Sequence, residues 1–422
     1  MSAAMRIVGA EYGRLSSKRA SALSHPGAKA EHLGPLYPGS NPSPTGVATA
    51  SRAAYDAGTP FHLVADDRPY APSFSRRPMI KYIGSKRLLI ETITQMVDEC
   101  DEVRTVLDLF SGTSRVGQAL KSKGYSVAAN DYTAYAHALA RCYIEADGEH
   151  FAPKAEALLP ELRALAGRPG YFTETFCERS RYLHPKNGER VDAIRERIAE
   201  MGLDPVLESI LLVSLMEAAD RVDSTTGVQM AFLKSWAPRA HNELDLRLPQ
   251  LIPGHGRAHR QDAIHFAETG QARADLVYLD PPYNQHAYLG NYHVWESLVT
   301  WDKPEVYGIA CKRVDCKERK SPFNSKRKIH EAMRRVIAHL DARYILVSFN
   351  NEGFISRQEM VELLESRGEV EVVERPFERY VGAKIGIYNP AGKKVGKVTH
   401  TKNKEFLFRV RVNSAASEPN TP

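Results

Sequence analysis

Short apolar runs that end in acids recur along the middle of this chain, and together they outline a sheet. Thr105-Val-Leu-Asp108, Ser126-Val-Ala-Ala-Asn130-Asp131 and Asp275-Leu-Val-Tyr-Leu-Asp280 each read as a strand with a carboxylate at or near its carboxyl end. Pro281 and Pro282 cannot continue a strand, so the third run stops at Asp280. Further strands are predicted leading to Asp262-Ala263 and over residues 344–350, 370–374 and 406–410. Apolar spacing places one helix over residues 87–99 and another behind Gly112. Between Phe151 and Ile252 the helical period takes over, with helices expected at 152–165, at the amphipathic stretch 191–201, and at 206–219, which is apolar enough to be mostly buried. The pattern predicts an α/β fold interrupted by a helical insertion. In such a sheet the carboxyl edge of the strands is where ligands bind.

Composition adds limits to this picture. At 422 residues, 43% hydrophobic and 26% charged, the chain can bury a large core and still carry an insertion. Residues 1–75 are rich in Ala, Ser, Gly and Pro without steady periodicity and read as a disordered arm, as does the tail 412–422. This leaves 76–150 and 255–411 for the α/β domain and 151–254 for the insertion. A net charge of +6 is compatible with a polyanionic partner. Cys100, Cys142, Cys177, Cys311 and Cys316 form no C-x-x-C pair, which argues against a disulfide framework or a zinc site and for a reducing compartment. No apolar run approaches the roughly 20 residues that span a bilayer, and the first residues lack a secretory core. A cytoplasmic protein without membrane contact is expected.

The candidate chemistry gathers at the strand ends. Asp280 and the carbonyl of Pro281 offer two acceptors beside the flat ring of Tyr283, a combination suited to a planar base with an exocyclic amine; the bland alternative is a turn that ends a strand. In Asp108-Leu109-Phe110-Ser111-Gly112-Thr113 the small residues let a ligand approach the backbone. A Walker loop is excluded because Gln118 and Ala119 follow Gly117, and no G-x-G-x-x-G occurs. Asp131 stands where a doubly wound fold presents an acid to ribose hydroxyls, roughly 20 residues past the first turn. An adenosine-bearing cofactor fits. Lys81-Tyr82-Ile83-Gly84-Ser85-Lys86 could hold an anion at a helix entrance.

Two basic regions point to a polyanion. In the insertion, Arg179, Arg181, Arg190, Arg195, Arg197, Arg221 and Lys234 are mixed with Tyr182, Phe232 and Trp236, which suits phosphate and base contacts. Residues 312–335 hold an excess of Lys and Arg, including Lys326 and Arg327 beside Asn324, and read as too basic to bury: a flap over a nucleic-acid backbone, or else a solvated loop. His255, His259 and His265 have no supporting acid or thiolate before Asp262, so no metal is expected.

The ordered set of Lys81 to Lys86, Asp108 to Thr113, Asp131, Asp262 and Asp280-Pro281-Pro282-Tyr283 resembles the adenine-N6 DNA methyltransferases. It is most similar to the group whose cofactor motifs come first, followed by a target-recognition insertion and then the catalytic motif. Glu178 to Gly188, Leu233 to Trp236, Asn291-Tyr-His293, Ser321-Pro-Phe-Asn324 and Ser348 to Gly353 share the likeness, which spans about residues 79–411. The resemblance implies a Rossmann-like S-adenosylmethionine-dependent sheet acting on adenine in double-stranded DNA. It implies Tyr82, Gly84 and Lys86 near the methionine end of the cofactor, with Asp108, Phe110, Ser111, Gly112 and Thr113 lining the pocket. Asp131 would meet the ribose, Asp262 and Ala263 the adenine, and Asp280, Pro281, Pro282 and Tyr283 the flipped target base. Arg179, Arg181, Lys234, Asn324, Lys326 and Arg327 would contact DNA. Ser114 departs from the pattern, since many relatives carry a second glycine there. A cognate restriction endonuclease and the oligomeric state are left open. The rival readings are an RNA adenine or protein glutamine methyltransferase, a nicotinamide oxidoreductase lacking its glycine fingerprint, and a non-catalytic DNA-binding module.

Overall fold

The computed structural model describes residues 80–378, 387–388, 394–396 and 402–413; the predicted arm 1–75 and nearly all of the predicted tail lie outside them. Seven strands form the main sheet: β1 (Thr105–Asp108), β2 (Ser126–Asn130), β3 (Arg257–His259), β4 (Leu276–Leu279), β5 (Tyr344–Asn350), β6 (Gly368–Glu378) and β7 (Lys402–Val412). Their spatial order is β3-β2-β1-β4-β5-β7-β6. The first five are mutually parallel, whereas β7 runs antiparallel to both β5 and β6. The chain winds outward from β1 in one direction and resumes from β4 in the other, so the boundary between β1 and β4 is the topological switch point.

The strands read as unbroken apolar runs because both faces of the sheet are covered. Val106 and Leu276 pack with Ile93, Met96 and Val97 of α1 (Ile90–Asp98) and with Val116 and Leu120 of α2 (Arg115–Ser122). Their neighbours Leu107 and Val277 belong to the opposite layer, with residues of α7 (Ala263–Glu268), α10 (Ile329–Ala338) and α11 (Arg357–Glu365). This is the period-two alternation of a pleated strand with apolar partners on both sides.

The helical region holds α4 (Gly148–Ala164), α5 (Pro185–Glu200) and α6 (Pro205–Arg221). Asp204 caps α6 by accepting from the backbone N–H groups of Val206 and Leu207, and Pro205 occupies a first-turn position where no donor is needed. As its composition predicts, α6 is buried on nearly every face. The core here is shared: Leu159, Phe176, Ile194 and Leu211 pack together with Leu139 of α3 (Ala134–Ala140) and with Trp295 and Leu298 of α9 (His293–Thr300), which follows the single turn of α8 (Tyr288–Asn291).

Two expectations change. β6 and β7 are each longer than the predicted 370–374 and 406–410, because the antiparallel ladder between them runs on through polar residues, exposed on the outermost strand at Glu369, Glu371 and Arg375 and buried on β7 at Asn403 and Glu405. The segment 312–335 is also not uniformly solvated. Arg313 is buried, held by Asp302 and Asp315, and Phe323 is buried as well. Specific acids neutralise what composition alone makes too basic to enclose.

Candidate active site

A cavity of about 400 Å³ opens at the carboxyl ends of β1, β2 and β4. Tyr82, Gly84, Lys86, Asp108, Phe110, Ser111, Gly112, Thr113, Asp131, Asp262 and Ala263 all line it, so sequence positions far apart converge on one space. Asp280, just beyond β4, and Pro282 share that wall, while Pro281 is buried outside the lining.

The turn after β1 is fixed by its own hydrogen bonds. Gly112 has φ +50°, and a Cβ there would stand 3.4 Å from the Tyr82 hydroxyl. The Asp131 carboxylate accepts from the Gly112 N–H at 3.0 Å and from the backbone and hydroxyl of Thr133 at 2.9 Å each. Asp131 therefore pins the glycine turn besides facing the cavity. Asn130, which sequence reasoning missed, donates to Leu109 O and Gln261 O at 3.2 Å and accepts from the Gln261 N–H, stitching the loops after β1 and β3 to the end of β2. Asp262 caps α7 through the amides of Ile264 and His265. Ser114, the departure from the resembled pattern, is buried with φ +58°, and its hydroxyl has no partner among the described residues.

Around Asp280 the charges are tightly packed. Lys86 Nζ stands 3.1 Å from Asp280 Oδ1 and 3.4 Å from Glu405 Oε2, and the lysine is only 6% exposed. Burial pushes the Asp280 carboxyl up to about 6; the Lys86 ammonium pulls it down and Glu405 pushes it up again. Burial works against the Lys86 ammonium, but Asp280, Tyr283 and Glu405 outweigh it and hold the lysine well above its usual value. Asp108 is pushed up to about 8, mainly by burial and next by Asp280, against the N–H of Gly117.

Tyr283 differs from the expected open platform. It is 8% exposed, its ring packs on Phe349 at 5.0 Å, Lys86 Nζ stands 5.6 Å from its centroid, and its hydroxyl accepts from Asn350 Nδ2 at 2.9 Å. The loop after β4 is drawn against the end of β5, and Phe354 N–H donating to Tyr283 O reinforces this. In this conformation a base reaches the ring only if its neighbours yield. Tyr82, in contrast, lies nearly parallel to Tyr288 and Tyr292, with centroids 5.3 and 4.5 Å away.

One flank of the cavity comes from the basic segment. Arg319, Ser321, Phe323 and Asn324 line it. Arg319 donates to the fully buried Glu296 at 3.0 Å and stacks over Tyr132 at 4.9 Å. Glu296 accepts the amides of Ala134 and Tyr135 at the start of α3. Asn324 gives its amide to Asn284 O and His286 O, so it ties down the loop after β4. No motif marks Glu296, because its carboxylate serves partners remote in sequence.

The predicted DNA-contact residues separate into two groups. Arg181 donates to the Lys234 carbonyl and lies over the Trp236 ring at 4.7 Å, which brings three of the interleaved residues together. Arg179, Lys234, Lys326 and Arg327 are exposed. Arg195 is buried and donates to Leu298 O and Val299 O, Arg197 pairs with Glu161, and Tyr182 is buried with its hydroxyl on Gln229 O and Ala310 O. Arg195 and Tyr182 serve the helical core, where a side-chain donor can satisfy carbonyls that no backbone donor reaches, whereas Arg197 is held in a surface ion pair.

The cavity suits a cationic, adenosine-bearing ligand. Asp108 Oδ1 and the hydroxyls of Ser85 and Ser111 are buried on its lining without partners among the described residues, Asp108, Asp131, Asp262 and Asp280 place four acids along it, and Gly112 leaves room beside Tyr82. A family model described as "D12 class N6 adenine-specific DNA methyltransferase" matches residues 82–363. The "Modification methylase StsI" of Streptococcus sanguinis is 31% identical over 322 residues, covering 71% of this chain and 49% of that one. The "Type II methyltransferase M.FokI" of Planomicrobium okeanokoites is 30% identical over 325 residues, 71% of this chain and 50% of that one. The "Type II methyltransferase M.NlaIII" of Neisseria lactamica is 31% identical over 343 residues, 78% of this chain and 100% of that one. The chain thus spans about half the length of the first two relatives and the whole of the third.

Proposed function

The chain belongs to the D12 class N6 adenine-specific DNA methyltransferases, and from that premise we propose that it methylates N6 of adenine within a short duplex DNA sequence, using S-adenosylmethionine. The observation that carries the reading is Asp280, paired with Lys86 at the β1–β4 switch point, on the wall of the cavity that Asp108, Gly112 and Asp131 also line. When bound, S-adenosylmethionine supplies an electrophilic methyl group on sulfur. Tyr82, Gly84 and Lys86 hold its methionine end, Asp131 its ribose, and Asp262 with Ala263 its adenine.

The target amine lies inside the duplex, so the base turns out of the stack, at a cost of a few kcal/mol (roughly). Exposed cations at Arg179, Lys234, Lys326 and Arg327 supply backbone contacts that offset it. Asp280, on the cavity wall, accepts from N6, and the carbonyl of Pro281, buried outside the lining, joins it as the loop after β4 yields to the base; both favour a more tetrahedral nitrogen with an available lone pair. The carboxylate also stabilises the positive charge that develops there and can take the proton released after transfer has begun. This role requires ionised Asp280, and the carboxyl at about 6 meets that condition at neutral pH.

The names of the relatives, a modification methylase and two type II methyltransferases, support a modification role. The test is expression in a host free of adenine methylation, followed by mapping of modified adenines. A reproducible short motif is expected, lost in Asp280→Ala while cofactor binding persists. Full methylation by that variant overturns the assignment of Asp280, and preferred modification of RNA or protein in competition overturns the DNA reading.

A further inference from the structure

Glu405 lies on β7, the strand that reverses the direction of the sheet, and outside residues 82–363 matched by the family model. A carboxylate inside a sheet is costly unless it is paired, and Glu405 is only 4% exposed. Its Oε2 is 3.4 Å from Lys86 Nζ, and its Oε1 is 3.5 Å from Asn350 Nδ2, whose other contact is the Tyr283 hydroxyl at 2.9 Å. Lys86 is thus shared by two carboxylates, Asp280 at 3.1 Å and Glu405.

We propose that Glu405 is a positioning residue for methyl transfer: it draws part of the Lys86 ammonium away from Asp280, leaving the Asp280 carboxylate available to the target amine. The inference deepens the methyltransferase reading and rests on it. One cation between two carboxylates neutralises only one of them, so a net negative charge remains at the centre. Lys86 alone with Asp280 would form a closed pair, in which the acid has less acceptor capacity for N6. β7 reaches the centre because its antiparallel register sets Glu405 opposite Asn350 at the carboxyl end of β5.

The charged and titratable groups around Asp280 are Lys86 from the leading segment, Asp108 from β1, Tyr278 from β4, Tyr283 and Tyr288 from the segment after it, and Glu405 from β7. Of the two other acids, Glu405 is the one that shares the lysine. Removing its charge removes a repulsion and strengthens the Lys86 pairing, and both changes make Asp280 more acidic.

The experiment is the pH profile of single-turnover DNA methylation by the full chain, for wild type and Glu405→Gln, with steady-state kcat and KM at pH values above the acid limb. Glutamine keeps the shape and leaves Lys86 its Asp280 partner, so no buried charge is stranded. The expected result is an acid limb displaced to lower pH by about one unit, the low end of what a nearby charge does. With it should come a fall in kcat of about tenfold or more at little change in KM for DNA or cofactor. Glu405→Asp withdraws the carboxylate by one methylene and should give a smaller displacement in the same direction. It also serves as the test if the glutamine variant does not fold. A folded Glu405→Gln protein with the wild-type limb and kcat overturns the proposal, as does a folded Glu405→Asp protein with the wild-type limb. A wild type that methylates no DNA instead refutes the underlying reading.

Discussion

Asp108 and Ser114 both pay locally for the shape of the turn after β1. Burial and the nearby Asp280 push the Asp108 carboxyl up to about 8. Because that is above the unfolded value of about 4, the folded chain binds the proton more tightly; the resulting stability is complete below the unfolded value and is lost as pH rises toward about 8. Cofactor-free protein should therefore melt at a lower temperature near about pH 9 than near about pH 6, and Asp108→Asn should flatten that slope while weakening S-adenosylmethionine binding. Calorimetry across the window decides it, and equal slopes for the two proteins would sink the idea. Ser114 holds a left-handed backbone, φ +58° and ψ +22°, in a buried position. A left-handed L-residue costs about 1–2 kcal/mol, and glycine's extra unfolded-state entropy returns about half of that gain. Ser114→Gly is expected to stabilise the chain by roughly 0.5–1 kcal/mol in denaturant unfolding, and a loss of stability would show that the serine side chain contributes packing that outweighs the strain. The sequence marked Ser114 as a departure, but a dihedral angle leaves no trace in residue order.

At the scale of elements, the strand ends were legible and the straps between them were not. Apolar runs stopped by Asp108, Asn130-Asp131 and Asp280 identify β1, β2 and β4 because a buried strand must be apolar and a carboxylate at its end must find water, a ligand or a cation. Nothing comparable announces Glu296, which sits inside the apolar face of α9 and looks from the pattern like an error. It is enclosed because it takes the Ala134 and Tyr135 amides at 2.8 and 3.1 Å and Arg319 at 3.0 Å, joining α9 to the start of α3 and to the segment along the cavity. Such partners lie far apart in sequence, so only the fold reveals the pairing. Removing the carboxylate strands two helix-end amides, the Arg319 hydrogen bond and the Arg260 ion pair at 3.7 Å. Glu296→Ala should cost about 3 kcal/mol, the sum of unsatisfied donors and a broken buried pair, and should raise KM for the cofactor as residues 319–324 loosen. Equilibrium unfolding and cofactor titration measure the two effects; a variant within about 0.5 kcal/mol of wild type would mean that Arg319 and the α3 amides find other partners.

For the whole molecule, the proposed activity requires a face for DNA, and the arginines mark one only after they are sorted by environment. Composition predicts a basic surface on the helical insertion, yet Arg195 is spent on carbonyls of α9 and Arg197 on Glu161. Sequence reasoning could not separate these from Arg181 and Lys234, because an arginine that satisfies buried carbonyls and one that meets phosphate look alike in a string of residues. Arg181 is braced by its donation to the Lys234 carbonyl and by the Trp236 ring, an arrangement that holds the guanidinium at the surface at reduced entropic cost on binding. Neither Arg181 nor Lys234 lines the cofactor cavity. If both touch phosphates, the double variant Arg181→Ala with Lys234→Ala should bind duplex DNA more weakly, and its log affinity against log salt should be shallower by about 1.8, close to 0.9 for each lost contact. S-adenosylmethionine affinity should not change. Fluorescence anisotropy over a salt series gives the slope directly. A weaker complex with the wild-type slope would mean that the two residues act on bases or on the fold of the insertion, and an unchanged affinity would move the DNA track away from this face toward Lys326 and Arg327.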